Sequence, residues 1–183
     1  MKNSKKLQIG VVGYAGLSEY PAGAITNPGI YKLAENVGFL LAQKGAIVIT
    51  GGKGGVMESA ACGAHKANGM TIGVVKGKER YTSNRFTDVE ILSGMVSDGF
   101  DEFLLVNMCD AIIVIGGGAG TLEEITIAYR NKKPIIVLEN TGGWADNICG
   151  TDLDQRKTVK LEVVSTPEEA VKLAIKSSKK DTK

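Results

Sequence analysis

The sequence predicts an α/β chain: one Rossmann-like domain with a mostly parallel sheet of about seven strands and helices on both faces. Three observations predict it. Short β-branched apolar runs alternate with helical patterns from residue 7 to residue 177. No linker or internal repeat interrupts the alternation. Glycine, 24 of 183 residues against a usual share of about 7%, gathers at the ends of the apolar runs without any G-x-y period.

Each element follows in order. "LQIGVVG" (7–13) reads as a buried strand ending in glycine. Asn27 then supplies an N-cap and Pro28 a first helical position. Ile30, Leu33, Val37, Leu40 and Leu41 recur at helical spacing until Gly45 closes the helix. "AIVIT" (46–50) is a strand with "GGKGG" (51–55) at its carboxyl end. A helix of small residues over 56–68 stops at Gly69, and "TIGVV" (71–75) is the third strand. The polar stretch 76–88 reads as a mobile loop, "DVEIL" (88–92) as an alternating strand and "DGFDEFLLVNM" (98–108) as a helix. "AIIVIG" (111–116) is the most apolar run and the expected central strand. A helix over 121–131, a strand at 134–138, a loop at 139–147 and a strand at 161–165 follow. Thr166-Pro167-Glu168-Glu169 then opens the last helix as a capping box. Residues 1–6 and 178–183 are basic tails outside the domain of 7–177.

Composition narrows the function classes. With 43% hydrophobic and 23% charged residues the chain has the make-up of a soluble globular protein. Its net charge of +2 owes much to the lysine-rich ends, which read as solvated termini, so no nucleic acid partner is expected. The apolar run behind the first lysines is too short for a signal peptide or a membrane span, so no membrane partner is expected either. Cys62, Cys109 and Cys149 have no metal-ligand spacing and fit free thiols in a reducing cytoplasm. The lone His65 reads as a structural or exposed residue, and no metal ligand is assigned.

The chemistry sits in the glycines. In parallel sheets, ligands bind beyond the carboxyl ends of the strands, where the strand order reverses. "GYAG" (13–16), "GGKGG" (51–55) and "GGGAG" (116–120) all fall at that edge, and the last two lead into helices. Free N–H groups and the positive end of a helix dipole favour an anion there, and glycine lets it approach without a Cβ in the way. Gly13, Gly51, Gly52, Gly54 and Gly55 are therefore candidates for a phosphate cradle. No cluster is G-x-G-x-x-G with an acid about 20 residues on, so a nicotinamide-nucleotide module is disfavoured; G-x-x-x-x-G-K-[ST] is also absent. Glu124 has two readings: the third residue of a helix capped by Thr121, or a carboxylate beside a bound ribose. Its neighbour Glu123 reads as a solvated helix residue.

"GGAGTLEE" (117–124) resembles the GGxGTxxE signature of the LOG family of cytokinin-riboside-monophosphate phosphoribohydrolases. "GGKGGVM" (51–57) resembles that family's earlier glycine motif, and the likeness covers roughly residues 7–145. "TGGWAD" (141–146) and "SGM" (93–95) are similar to a branch related to the molybdenum-cofactor carrier protein. The resemblance implies a phosphate-bearing small molecule as partner, held by Gly117, Gly118, Gly120 and Thr121, with Glu124 as the catalytic carboxylate. It also implies a homodimer or higher oligomer, no required cofactor, and a nucleoside monophosphate or a molybdopterin-type molecule as ligand. The lysine decarboxylase label that many relatives carry finds no support, since no lysine stands in a pyridoxal-phosphate context.

One departure divides the functional expectation. The hydrolases carry an arginine on the helix before the central strand, where this chain has Asp101-Glu102, a pair that reads as a solvated helix face. Arg85 and Arg130 are the nearest arginines, and neither matches the motif. An aspartate in that place would repel a phosphate and raise the pKa of a nearby carboxyl. Two functions are thus expected in competition: cleavage of the N-glycosidic bond of a nucleoside 5′-monophosphate, or non-catalytic carriage or sensing of molybdopterin or a nucleotide.

Overall fold

The computed structural model describes residues 5–16, 29–97 and 99–179. Seven strands, β1 (Gln8–Gly13), β2 (Ile47–Thr50), β3 (Thr71–Val75), β4 (Val89–Leu92), β5 (Ala111–Ile115), β6 (Ile135–Leu138) and β7 (Leu161–Val164), form one sheet in the order β4-β3-β2-β1-β5-β6-β7. Every pairing among the described residues is parallel, so the expected sheet is found. The chain steps outward from β1 to β4, then crosses back to lay β5 against the other side of β1, with Ile9 opposite Ala111 and Gly13 opposite Ile115. That reversal between β1 and β5 opens a crevice at their carboxyl ends.

Six helices cover the two faces: α1 (Ile30–Gln43), α2 (Val56–Lys66), α3 (Phe100–Met108), α4 (Ala119–Arg130), α5 (Gly143–Asn147) and α6 (Pro167–Ser178). Alternation along β5 decides which side each residue serves. Ile113 and Ile115 join the core under α1, α2 and α6, whereas Ile112 and Val114 join the core under α3 and α4. All five residues of β5 are buried, as expected of a central parallel strand. On α1 the buried stripe is Ile30, Ala34, Val37, Gly38 and Leu41; Leu33 and Leu40, at its margin, are only partly buried. The proposed Asn27-Pro28 start of this helix lies outside the described residues. No helix among the described residues is long and apolar enough to cross a membrane.

Two elements differ from expectation in ways that shape the crevice. Helix α4 begins at Ala119, two residues early, with Gly118 as its N-cap in an extended conformation. Residues 143–147, expected as loop, form the short helix α5. Asp146 draws that turn together by accepting the N–H groups of Thr141 (3.1 Å) and Gly142 (2.9 Å). The first N–H groups of α5 then find partners in the glycine turn after β5: Trp144 donates to the Gly117 carbonyl and Ala145 to the Gly116 carbonyl. At α6 the expected cap is found, with the Thr166 hydroxyl accepting the Glu169 N–H at 3.3 Å and Pro167 in the first position.

The polar stretch 76–88 is laced to its surroundings. Glu90 on β4 accepts the N–H groups of Tyr81, Thr82 and Ser83 at 2.6–2.8 Å. Asn84 binds the Gly52 carbonyl through its N–H and the Lys53 carbonyl through its side chain. The loop therefore props the second glycine cluster from outside.

Candidate functional site

The carboxyl ends of β1, β2 and β3 and the helices α3 and α4 surround a cleft of about 180 Å³. Gly13, Gly51 and Gly120 contribute bare main chain to its wall, Met57, Val74 and Leu105 an apolar side, and Asp101, Glu102 and Glu124 a carboxyl side. Lys53, exposed in the middle of "GGKGG", is the one basic side chain lining it among the described residues. Its position between four glycines is the signal by which the sequence could have nominated it.

The glycine clusters divide by role. Gly117 (φ 102°) is closed over by Thr121: a Cβ on Gly117 would lie 2.4 Å from the Thr121 Oγ1. Next to it the Tyr14 ring occupies the space a Cβ on Gly116 would need, at 2.4 Å. Gly52 and Gly55 also hold positive φ and abut Val75 and the Tyr14 carbonyl. Gly54 approaches the Ala15 carbonyl. Gly52, Gly54, Gly55, Gly117, Gly118 and Thr121 therefore do not line the cleft; the first five shape or border its turns, and Thr121 is the buried plug of one. At Gly120, by contrast, the nearest atom to an added Cβ is the Glu102 carboxyl at 3.6 Å, so this residue borders open space. Among the described residues no hydrogen bond reaches the N–H groups of Gly118, Ala119 or Gly120. These are the donors that any helix N-terminus leaves unused.

The early start of α4 removes the capping-box reading of Glu124. Thr121 lies inside the first turn instead of capping it, and Glu124 faces the cleft with its side chain buried. Burial holds the Glu124 carboxyl well above the usual carboxylate range; Glu102, Asp101 and Glu123 push in the same direction and Lys53 pulls against them. Glu102 is raised too, by burial first and by the Asp101 carboxyl beside it, although it accepts the Gly99 N–H at 3.1 Å. The expected solvated face of Asp101-Glu102 is corrected here: Asp101 is 8% exposed, and both side chains line the cleft. The reason is topological, since the crossover from β4 lays the first turn of α3 against α4 at the sheet reversal. Glu123 is not fully solvated either; its carboxyl lies against Gly99 at the start of α3.

Neither arginine reaches the cleft. Arg85 lies over the Phe86 ring and beside Glu58, lining a second hollow with Gly16 and Gly55. Arg130 sits at the far end of α4. No cluster of His, Cys, Asp or Glu among the described residues has the geometry to hold a metal ion. The arrangement can thus offer an anion the first N–H groups of α4 and the Lys53 ammonium, and offer a reacting group a buried, protonatable carboxyl.

A family model described as the SLOG cluster4 family matches residues 6–171. The chain belongs to that family. This SLOG cluster4 chain is 34% identical to an uncharacterized protein of Archaeoglobus fulgidus over 96% of its length and 99% of the relative's. It is 28% identical to the cytokinin riboside 5′-monophosphate phosphoribohydrolase of Mycobacterium tuberculosis, covering 79% of this chain and 84% of that one. Among solved structures, the molybdenum cofactor binding protein of Rippkaea orientalis superposes with a TM-score of 0.78 at 31% identity, covering 94% and 97% of the two chains. The molybdenum cofactor carrier protein of Chlamydomonas reinhardtii gives 0.75 at 26%, covering 94% and 98%. The resemblance carried by the paired glycine motifs is borne out: this SLOG cluster4 chain is LOG-like, with relatives on both the hydrolase and the carrier side.

Proposed function

We propose that this SLOG cluster4 chain binds a nucleoside 5′-monophosphate and cleaves its N-glycosidic bond. The observation that carries the reading is the placement of Glu124, a buried carboxyl of raised pKa, in one cleft with Gly120 of the α4 N-terminus and with Lys53. The α4 N-terminus, where it borders the cleft at Gly120, and the Lys53 ammonium hold the phosphate, with Gly118 shaping the turn behind it. Gly13 and Gly51 present bare main chain to the sugar, and Gly52, Gly54, Gly55, Gly117 and Thr121 hold the turns in shape. A protonated Glu124 gives its proton to the departing base nitrogen as the C1′–N bond breaks. Water adds to C1′, and its proton returns to the Glu124 carboxylate. No cofactor takes part in this scheme.

The test incubates the protein with purine and pyrimidine monophosphates and measures free base. Expected is release that Glu124→Ala removes; equal release by the variant rejects the mechanism. Exposed Phe100 and Phe103 on α3 support self-association into a homodimer or higher oligomer, which light scattering reads directly.

A second reading rests on Asp101 and Glu102, which stand where the hydrolases carry an arginine. A cleft with three carboxyls and one lysine stabilises a transferring sugar phosphate less well than one with an arginine, and it suits a carrier or sensor of molybdopterin or a nucleotide. The likeness to the two molybdenum-cofactor-binding structures supports it. Stoichiometric binding of a phosphate-bearing ligand with no base released distinguishes this reading from the first.

A further inference from the structure

Asp101 lies beside the Glu102 carboxyl and is hydrogen-bonded to it when Glu102 is protonated. It is 8% exposed, it lines the cleft, and among the described residues no N–H or hydroxyl group donates to its Oδ1. A buried acceptor left without a donor is a costly feature that native proteins keep for a purpose. The Gly99 N–H at the head of α3 is taken by Glu102, and the Glu102 carboxyl beside Asp101 can donate to it only while it holds a proton. One helical turn on, Leu105 lies fully buried on the same wall, with Val74 and Met57 completing an apolar face. A carboxylate beside an apolar face suits a flat ring presenting N–H donors at its edge better than a sugar, whose remaining hydroxyls would face Leu105 and Val74 unpaired.

We infer that Asp101 selects a fused ring with a 2-amino-4-oxopyrimidine edge, the pattern shared by guanine and pterin. That edge presents a ring N–H and an exocyclic NH₂ side by side, and a carboxylate accepts both. Adenine presents one donor and one ring acceptor, whose lone pair would face a carboxylate oxygen. Hypoxanthine keeps the ring N–H and loses the amino group, so it falls between. This assignment rests on the proposed phosphate-bearing ligand only for the anchoring of the ring's substituent at α4.

The experiment measures equilibrium binding of GMP, IMP, AMP, guanosine, ribose 5-phosphate and 6-hydroxymethylpterin monophosphate to the full chain, and of the same panel to Asp101→Asn. Expected is binding of GMP or the pterin about ten- to a hundredfold tighter than AMP, with IMP between. Whichever of GMP and the pterin binds tighter identifies the source of the ring. In Asp101→Asn the preference collapses or turns toward AMP, because the amide offers one acceptor and one donor. GMP, AMP and ribose 5-phosphate binding alike overturns the inference and leaves the phosphate reading intact. Guanosine binding as tightly as GMP while ribose 5-phosphate fails supports the ring assignment and removes the phosphate anchor. Failure of the whole panel rejects both. The panel on the unaltered protein decides the matter even if the variant does not fold.

Discussion

Thr121 lies over Gly117 so closely that a Cβ on the glycine would stand 2.4 Å from the threonine hydroxyl oxygen. Gly117 also holds φ at 102°, and its carbonyl accepts the Trp144 N–H of α5. Two of the residues that the LOG-like motif places on the phosphate are thus occupied with each other. Glycine here serves the shape of the turn, and the open approach to the start of α4 lies at Gly120.

That division predicts opposite outcomes for two alanine substitutions in one motif. Gly117→Ala meets both the clash and the positive φ and should cost about 2–4 kcal/mol of stability. Gly120→Ala lies in the first turn of α4 with open space beside it, so it should stabilise the fold by about 0.5–1 kcal/mol. The same methyl group narrows the approach to the α4 N–H groups, so phosphate-bearing ligands should bind more weakly. Thermal melts and ligand titrations of the two variants measure this. A destabilised Gly120→Ala with unaltered binding would contradict it.

Glu124 makes stability depend on pH in the direction opposite to most carboxylates. Its folded pKa is raised above the unfolded value of 4.5, so the folded state holds its proton longer than the unfolded state does. Below about pH 4.5 the group contributes nothing, and as pH climbs through the folded pKa an increasing penalty accrues. Glu124→Gln should therefore melt a few degrees higher than the parent at pH 8 and match it at pH 4, a difference of about 1–2 kcal/mol. Base release should fall about a hundredfold or more in the same variant. Equal melting at both pH values would show that Glu124 is not desolvated in the folded state.

Helices α1 and α2 touch through paired glycines. A Cβ on Gly38 would lie 1.9 Å from the Ala60 carbonyl oxygen, and one on Gly63 would lie 1.9 Å from the Glu35 carbonyl oxygen. Gly38→Ala or Gly63→Ala should cost about 1–3 kcal/mol by forcing the helices apart. Because α2 carries Met57 on the cleft wall, ligand binding should weaken with stability. Urea denaturation of both variants checks the first effect, and titration at low temperature checks the second.

Tyr129, 3% exposed, donates its hydroxyl to Asp154 at 2.6 Å and accepts the Thr158 N–H at 3.0 Å, tying α4 to the segment before β7. The Arg156 guanidinium first, and this hydroxyl second, hold the Asp154 carboxyl down at about 2. The stability that Asp154 contributes is present above about 3.8 and is lost as pH falls toward 2. Tyr129→Phe should move the Asp154 midpoint upward in a carboxyl-carbon NMR titration and lower the melting temperature. An unmoved midpoint would show that the hydroxyl does not matter to that carboxylate.

The strands are legible in the sequence because burial on both faces leaves long β-branched runs such as Ala111–Ile115, and turns leave glycines at their ends. The cap at Thr166 could be read for a similar reason, since its partner stands three residues away in the chain. Helix α5 escaped notice because it is held from a distance: its N–H groups bond to carbonyls of Gly116 and Gly117, residues that no local pattern connects to it.

Glu124 shows where the sequence stops. Its two readings differ by three residues in the start of α4, which moves Glu124 from the third helical position, where it could close a capping box, to the sixth. Local preference favours Thr121 as the cap, but the packing of Thr121 onto Gly117 and of α5 onto the glycine turn pulls the start back to Ala119. The sequence by itself determined the succession of the seven strands and the five longer helices, the glycine turns at the sheet edge and the family, because periodicity and turn chemistry are local. Only the tertiary structure decided that Asp101, Glu102 and Glu124 share one cleft with Lys53. Their convergence depends on the crossover from β4 to β5 and on the phase of two helices, and through-space proximity of that kind leaves no periodic mark on the chain.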